Sequence, residues 1–367
     1  VADSRLTKLA DVLVNYSTAV RPGDWVVIGA EAMAAPLVRE VYRAVLRAGG
    51  HATVQLYDDA LAEILFKEAS DAQLEWISPV EKLVIEQVDV RISIDAEVNT
   101  RALSGIDPAV MVKRQAPRRD LMRTFMERSA AGKLRWVVTQ YPTQASAQEA
   151  EMSLSEYEDF VFGATFVNAA DPVAEWRKIK EMQQHKVEWL KGKRQLTVRS
   201  ANCDLSLSIE GRTFVNCFGD NNMPDGEIFT GPVEESVNGW VRFTFPAIYG
   251  GRSVEGVELR FENGKVISAK ADKNEEFLLR QINLDPGACY LGEFAIGTNF
   301  GIQKFTGNIL FDEKIGGTIH MALGAGYPET GSKNESALHW DMICDMRAGG
   351  EVFVDGDLFY KDGQFVV

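Results

Sequence analysis

The sequence has few cysteines, no excess of positive charge and no long apolar run. Four cysteines occur in 367 residues, at Cys203, Cys217, Cys289 and Cys344, and no two form a C-x-x-C pair. So sparse a set excludes a disulfide framework and a thiolate zinc ribbon; it predicts reduced, buried thiols in a cytosolic chain. Lys and Arg number 39 against 53 Asp and Glu, a formal net charge of −14. A surface that acidic repels phosphate backbones and anionic lipid headgroups, which argues against nucleic acid and against a membrane as partners. The longest apolar stretches, such as residues 25–30, fall far short of the roughly 20 residues a spanning helix needs. The first residues carry no basic segment followed by an apolar one, so no secretory signal is expected and the expected location is cytoplasmic. With 46% hydrophobic and 25% charged residues the chain reads as globular, and its length predicts about two domains.

The first half alternates between helix and strand. Leu6, Leu9, Val12, Leu13 and Tyr16 share one helical face, and Pro22-Gly23-Asp24 ends it. Trp25-Val26-Val27-Ile28-Gly29 reads as a buried strand, residues 36–47 as a helix closed by Ala48-Gly49-Gly50, and residues 52–56 as a second strand. A strand–helix–strand unit predicts a parallel sheet with a right-handed crossover. Residues 83–87, 90–94 and 134–139 continue the pattern. The turn after the first strand, Gly29-Ala30-Glu31-Ala32-Met33-Ala34, has one glycine where the dinucleotide fingerprint needs three, and Glu31 would face the pyrophosphate with negative charge. A Rossmann-like scaffold without a nucleotide is therefore expected. A long polar helix over residues 172–194 ends this half, and the domain boundary is placed there: an α/β scaffold domain over 1–194 and a second domain over 195–367.

In the second half the period changes to two. Leu196 and Val198, then Leu205, Leu207 and Ile209, then Val257, Leu259 and Phe261 alternate with polar residues. Asn263-Gly264 and Asp355-Gly356 mark hairpin turns, and Asp362-Gly363 repeats the signal. This half is expected to be an α+β domain rich in antiparallel strands.

Histidine is as scarce as cysteine: only His51, His185, His320 and His339 occur. His51, at a strand start, and His185, on the polar helix, read as surface residues. His339-Trp340-Asp341 is an H-x-D triplet in an expected strand, where residues i and i+2 project from one face and can meet one metal ion. His320 lies in Gly316-Gly317-Thr318-Ile319-His320-Met321-Ala322-Leu323-Gly324, a second apolar strand. The two histidines flank a glycine-rich loop carrying Tyr327. Glu227 and Glu293 each follow a glycine and precede an apolar run; a carboxylate facing a core is costly unless paired or bound to metal. Taken singly, each of these residues has a plainer reading: a core histidine, an arginine partner, a packed tyrosine before Pro328. Together they point to a metal site.

The ordered motifs Asn222-Met223-Pro224-x-Gly226-Glu227-Ile228-Phe229-Thr230-x-Pro232, Gly292-Glu293, Asp312-Glu313-Lys314-x-Gly316-Gly317-Thr318-Ile319-His320-Met321-Ala322-Leu323-Gly324, Gly326-Tyr327-Pro328 and Ser336-Ala337-Leu338-His339-Trp340-Asp341 resemble the thermophilic metallo-aminopeptidase family typified by aminopeptidase T and aminopeptidase S. The likeness covers essentially the whole chain, including the Pro22-Gly23-Asp24 strand entry. It implies metal ligands at Glu227, Glu293, His320, His339 and Asp341, Tyr327 as a further active-site residue, a homodimer, and small peptides with a free N-terminus as substrates. The stretch between Tyr327 and His339 is shorter than in some members, which leaves the shape of the substrate pocket open.

Five N/O ligands without a thiolate suit Zn²⁺, Co²⁺, Mn²⁺ or Mg²⁺, and ligand type does not choose among them. Five are more than one open catalytic ion takes from protein, but enough for two divalent ions if a carboxylate bridges. Two dications balance three carboxylates and one hydroxide, with both histidines neutral. The expected activity is a metal-dependent aminopeptidase working through a dinuclear metal-activated water, with Glu293, or else Glu313, carrying the proton to the leaving amine, and Tyr327 either donating to the oxyanion or binding a metal directly. Asp312-Glu313-Lys314 reads equally as a charged turn. The alternatives are another dinuclear hydrolase, acting on an amide or a phosphoester, and a non-enzymatic metal-binding protein. Phosphate sites usually add Arg or Lys, and Lys314 is the one basic residue in the His320 motif.

Overall fold

The computed structural model describes residues 3–367. The chain forms two compact units. One runs through Glu175 and takes in Gly219–Pro224; the other comprises Trp176–Phe218 and Asp225–Val367.

The first unit is a parallel sheet flanked by helices. Its strand order is His51–Tyr57, Trp25–Glu31, Val90–Asp95, Arg135–Gln140 and Asn222–Met223, every pair parallel. In Trp25–Glu31 the five interior residues are all buried, which is why its sequence is a continuous apolar run rather than an alternation. Helix Ala35–Arg47 starts with Pro36 in its first turn and buries Leu37, Val38, Val41, Ala44 and Val45 on one stripe. The first helix keeps its apolar face but changes pitch: Ser4–Asp11 is α-helical and Val12–Ser17 continues as a π-helix, with Leu6, Leu9, Val12 and Leu13 buried. The helix expected over residues 172–194 spans Pro172–Leu190. His51 and His185 are exposed.

At the end of the first strand the Glu31 carboxylate accepts a 2.7 Å hydrogen bond from the Ala96 N–H. Asp95 lies close by. Burial, then the charges of Glu31 and Glu97, push its carboxyl up to about 7. The unfolded chain releases this proton near pH 4 and the folded chain near pH 7. Stability from this group is therefore highest in acid and falls as pH rises between those values, by at most about 4 kcal/mol. Asp95→Asn removes the penalty. Its gain in melting temperature over the parent grows from pH 4 to pH 8; a gain that is flat with pH contradicts the argument.

Among the described residues the second unit contains an eight-stranded and a five-stranded antiparallel sheet facing one core, with a two-stranded one, Ala247–Tyr249 paired with Arg252–Val254, beside them. The eight-stranded sheet runs Lys265–Lys270, Glu258–Glu262, Asn238–Arg242, Cys203–Ser208, Gln195–Ser200, Glu351–Val354, Asp357–Lys361 and Gln364–Phe365. Its alternating strands bury Leu196 and Val198, then Cys203, Leu205 and Leu207. The expected hairpin turns hold: both residues of Asn263-Gly264, Asp355-Gly356 and Asp362-Gly363 have positive φ, the requirement of a type I′ turn. The five-stranded sheet runs His339–Asp345, Thr318–Gly324, Leu291–Gly297, Glu227–Thr230 and Val215–Cys217. One face of it sends Ile228, Phe294, Ile296, Ile319, Met321, Leu323, Trp340, Met342 and Cys344 into the core shared with the larger sheet.

None of the four cysteines forms a disulfide; Cys203 and Cys344 are buried, whereas Cys217 and Cys289 are half-buried, so the expectation of buried thiols is met by two. Among the described residues no helix is long and apolar enough to cross a membrane.

Candidate metal centre

The other face of the five-stranded sheet carries the polar residues singled out from the sequence. Period-two geometry puts His339 and Asp341 on it together, and likewise Glu227 with Phe229. The cross-strand register aligns the rest. Ala322 stands opposite both Asp341 and Glu293, Ala295 opposite both His320 and Phe229, Gly297 opposite Glu227, and Gly324 opposite His339. Directly opposed residues share a face. Each large polar side chain is thus bordered by an alanine or glycine, and the space above those small residues is where the polar tips converge.

The glycine before each glutamate has a specific reason. Gly226 has φ of +115°, and a Cβ there would lie 2.9 Å from Cβ of Asn299. A Cβ on Gly292 would meet the carbonyl oxygen of Ala325 at 2.2 Å. That same carbonyl is 2.8 Å from Nδ1 of His339. A close backbone approach at Gly292 therefore helps hold His339 with Nδ1 protonated and Nε2 turned to the site.

Two groups of ligand atoms share one carboxylate. Nε2 of His320 lies 3.2 Å from Oε2 of Glu227 and 3.2 Å from Oε1 of Glu293. Nε2 of His339 lies 3.6 Å from Oε2 of Glu293 and 3.5 Å from Oδ2 of Asp341. Within each of the sets Glu227, Glu293, His320 and Glu293, His339, Asp341 the ligand atoms lie within 4.8 Å of one another, and Glu313, His320 and Asp341 make a further such set. Glu293 turns one oxygen to each histidine. Tyr327 is half-buried, its ring edge-on to His339 at 5.2 Å and to Phe229 at 5.3 Å.

The electrostatics ask for a cation. Burial raises the carboxyls of Glu293, Asp341 and Glu313. It acts the same way on Glu227, where Lys314 and then His320 outweigh it and hold the group at about 2. Burial would lower the His320 imidazole, but Glu227 and Glu293 raise it well above its usual value. Asp341 and Glu293 outweigh burial at His339 in the same direction. Burial, then the surrounding carboxylates, push the Tyr327 phenol up. A neutral His320 would aim a lone pair at two carboxylates unless positive charge lay between them. Oε2 of Glu227 and Oδ1 of Asp341 are buried without a hydrogen-bond partner, the pattern of a ligand set built around an ion rather than around itself. The residues present thus fit a divalent metal of the N/O-binding class.

One residue of this centre was not read as part of it from the sequence. Lys314 is fully buried, with Nζ 3.0 Å from Oε1 of Glu227 and in contact with Glu313. The signal was local and misleading, since Asp312-Glu313-Lys314 is the composition of a solvated turn.

The profile of the family described as thermophilic metalloprotease (M29) matches residues 2–365. The chain belongs to this family. Aminopeptidase AmpS of Bacillus subtilis is 28% identical to it, over 96% of this chain and 95% of that protein. Aminopeptidase 2 of Geobacillus stearothermophilus is 26% identical, over 99% and 95%. Among solved structures, wild-type AmpT from Thermus thermophilus superposes with a TM-score of 0.87 at 25% identity, covering 99% of each chain. The 2,5-dihydroxypyridine dioxygenase of Pseudomonas putida KT2440 shares the fold at a TM-score of 0.61 and 14% identity; that likeness concerns the scaffold alone, since one fold hosts several chemistries. As a member of this metalloprotease family the chain uses a divalent metal, and its mixed fold, parallel first and antiparallel second, is that of AmpT.

Proposed function

We propose that this thermophilic metalloprotease is a cytoplasmic, homodimeric aminopeptidase that releases N-terminal residues from small peptides with two divalent ions. Residues 195–367 carry the catalytic metal-binding domain and residues 1–194 its α/β scaffold, except that residues 176–194 cluster with the former and Gly219–Pro224 with the latter. Glu227, Glu293 and His320 would hold one ion, and Glu293, His339 and Asp341 the other. The observation that supports this most is the division of the Glu293 carboxylate, one oxygen toward His320 and the other toward His339.

When bound, the ions supply Lewis acidity, lowering the pKa of water and polarising the scissile carbonyl. The chain supplies the rest. Glu293, or else Glu313, would carry a proton from the attacking water to the leaving amine; burial raises both carboxyls, which makes each a better proton acceptor. The Tyr327 phenol, raised and so protonated, donates a hydrogen bond to the oxyanion. The carboxylates around the site hold the substrate's α-ammonium, which selects a free N-terminus. Tyr327→Phe lowers kcat by about 10- to 100-fold with little change in KM, because the interaction strengthens only in the transition state. A loss confined to KM would assign Tyr327 to substrate binding instead.

A phosphoester substrate is less well served. The basic residue nearest the ligands, Lys314, has its ammonium buried among carboxylates and is not presented to a ligand. Self-association is supported by the first unit, where edge strand His51–Tyr57 exposes Val54, Leu56 and Tyr57, and helix Asp59–Glu68 buries none of its residues.

The test is hydrolysis of leucyl- and arginyl-nitroanilide, with a phosphoester as control, before and after EDTA and with Zn²⁺, Co²⁺, Mn²⁺ or Mg²⁺ returned. Nitroanilide hydrolysis that is lost with EDTA and restored by metal supports the reading. Bound metal with phosphoester turnover alone, or with no turnover, overturns it. Light scattering of the eluted protein gives the mass that checks the dimer.

A further inference from the structure

A second cluster adjoins the centre. Sγ of Cys217 and carboxylate oxygens of Asp225 and Glu227 lie within 4.8 Å of one another, a spacing that would suit another cation. A side chain already supplies the charge there. Nζ of Lys314 is 3.0 Å from Oε1 of Glu227 and 4.0 Å from Oδ1 of Asp225, contacts Oε1 of Glu313, and is wholly buried. The lysine is anchored along its backbone: its N–H donates to the carbonyl of Phe311 at 3.1 Å, and its carbonyl accepts from the N–H of Asn299 at 3.0 Å. The Asn299 side chain in turn donates to the carbonyl of Asp225 at 2.9 Å. Lysine, anchoring asparagine and the turn bearing Asp225 and Glu227 thus form one connected frame.

A metal-binding carboxylate with both oxygens unclaimed can rotate, chelate through both, or collapse onto a neighbour. Glu227 has one oxygen claimed and the other directed at Nε2 of His320. We propose that Lys314 is a positioning residue of the metal centre: its ammonium holds Oε1 of Glu227, so that Oε2 alone serves the ion shared with His320 and Glu293, and it stands where a third cation would otherwise be drawn. This rests on the dinuclear reading above. Partners that orient a ligand from behind contribute about 10- to 100-fold in metal affinity. Repulsion between the ammonium and the ion acts the other way, and the experiment decides between the two.

The experiment is calorimetric titration of the metal-stripped full-length protein with Mn²⁺, with bound metal counted by elemental analysis. The parent takes up two ions. Lys314→Met retains one with parental affinity and binds the other about 10- to 100-fold more weakly. In a Glu227→Gln background, adding Lys314→Met changes affinity by no more than about twofold, because the lysine acts through Glu227. Parental or tighter binding of both ions by Lys314→Met overturns the proposal, as does a further loss in the Glu227→Gln background. Should Lys314→Met fail to give a cooperative melt, the comparison of Glu227→Gln with the double variant decides alone, since removing both members of a buried pair is milder than removing one. A parent that binds fewer than two ions sinks the dinuclear reading instead; the lysine's role is then read from the affinity of the remaining ion.

Discussion

Glu293→Gln abolishes peptidase activity, with kcat falling by about 10⁴-fold or more. Of the two groups proposed to hold the ions, each other ligand serves one, whereas Glu293 belongs to both and is the first candidate for the proton carrier. The amide keeps the size of the side chain and one acceptor oxygen but can neither bridge two cations nor carry the proton. The fold tolerates the change, because the amide fills the same volume as the carboxyl. Asp341→Asn is the comparison. It removes a ligand from the His339 group and leaves the Glu227–His320–Glu293 group complete, so it retains one ion and loses less. Steady-state rates with leucyl-nitroanilide and metal content per chain check both variants. Glu293→Gln with more than about one hundredth of parental kcat would contradict its double role.

Metal removal lowers stability as well as activity. Without a cation the centre packs Glu227, Glu293 and Asp341 around two histidines, and the strain is relieved by protonating His320 between its two carboxylates. An ion present at a thousand times its dissociation constant contributes about 4 kcal/mol to folding, so EDTA lowers the melting temperature by about 10 °C. The pH dependence has a definite sign. Metal-free His320 is held protonated well above its usual range and His339 is raised as well, yet both must be neutral to bind metal. Binding therefore releases protons, and affinity weakens as pH falls from 8 toward 6. Calorimetry of Mn²⁺ binding in two buffers of different ionisation enthalpy counts the protons. Binding that releases none would mean the histidines are not ligands.

Several features of the chain follow from local sequence. The period-two strands and the hairpin turns did, because alternation chooses the buried face and a type I′ turn needs residues that accept positive φ, as Asn263-Gly264 and Asp355-Gly356 do. The apolar run at Trp25 announced an interior parallel strand for the same kind of reason. The pairing of His339 with Asp341 on one face was also legible, since a strand repeats every two residues. The ordered C-terminal motifs sufficed for the family.

The remainder depended on partners far away along the chain. The alternation of Glu227, Glu293 and His320 with neighbours is visible locally, but the register that sets Ala322 between Asp341 and Glu293, and Gly297 beside Glu227, exists only once the five strands are paired. Lys314 shows the limit most plainly. A lysine after two acids is hydrated in isolation, and leaving water is favourable only when carboxylates are already fixed around it. Glu313 is its neighbour, but Glu227 and Asp225 come from another strand and its turn. Sequence alone determined the residue types, the local periods and the family. Tertiary structure decided which charges meet, because desolvation and charge pairing are set by distances in space that no local pattern contains.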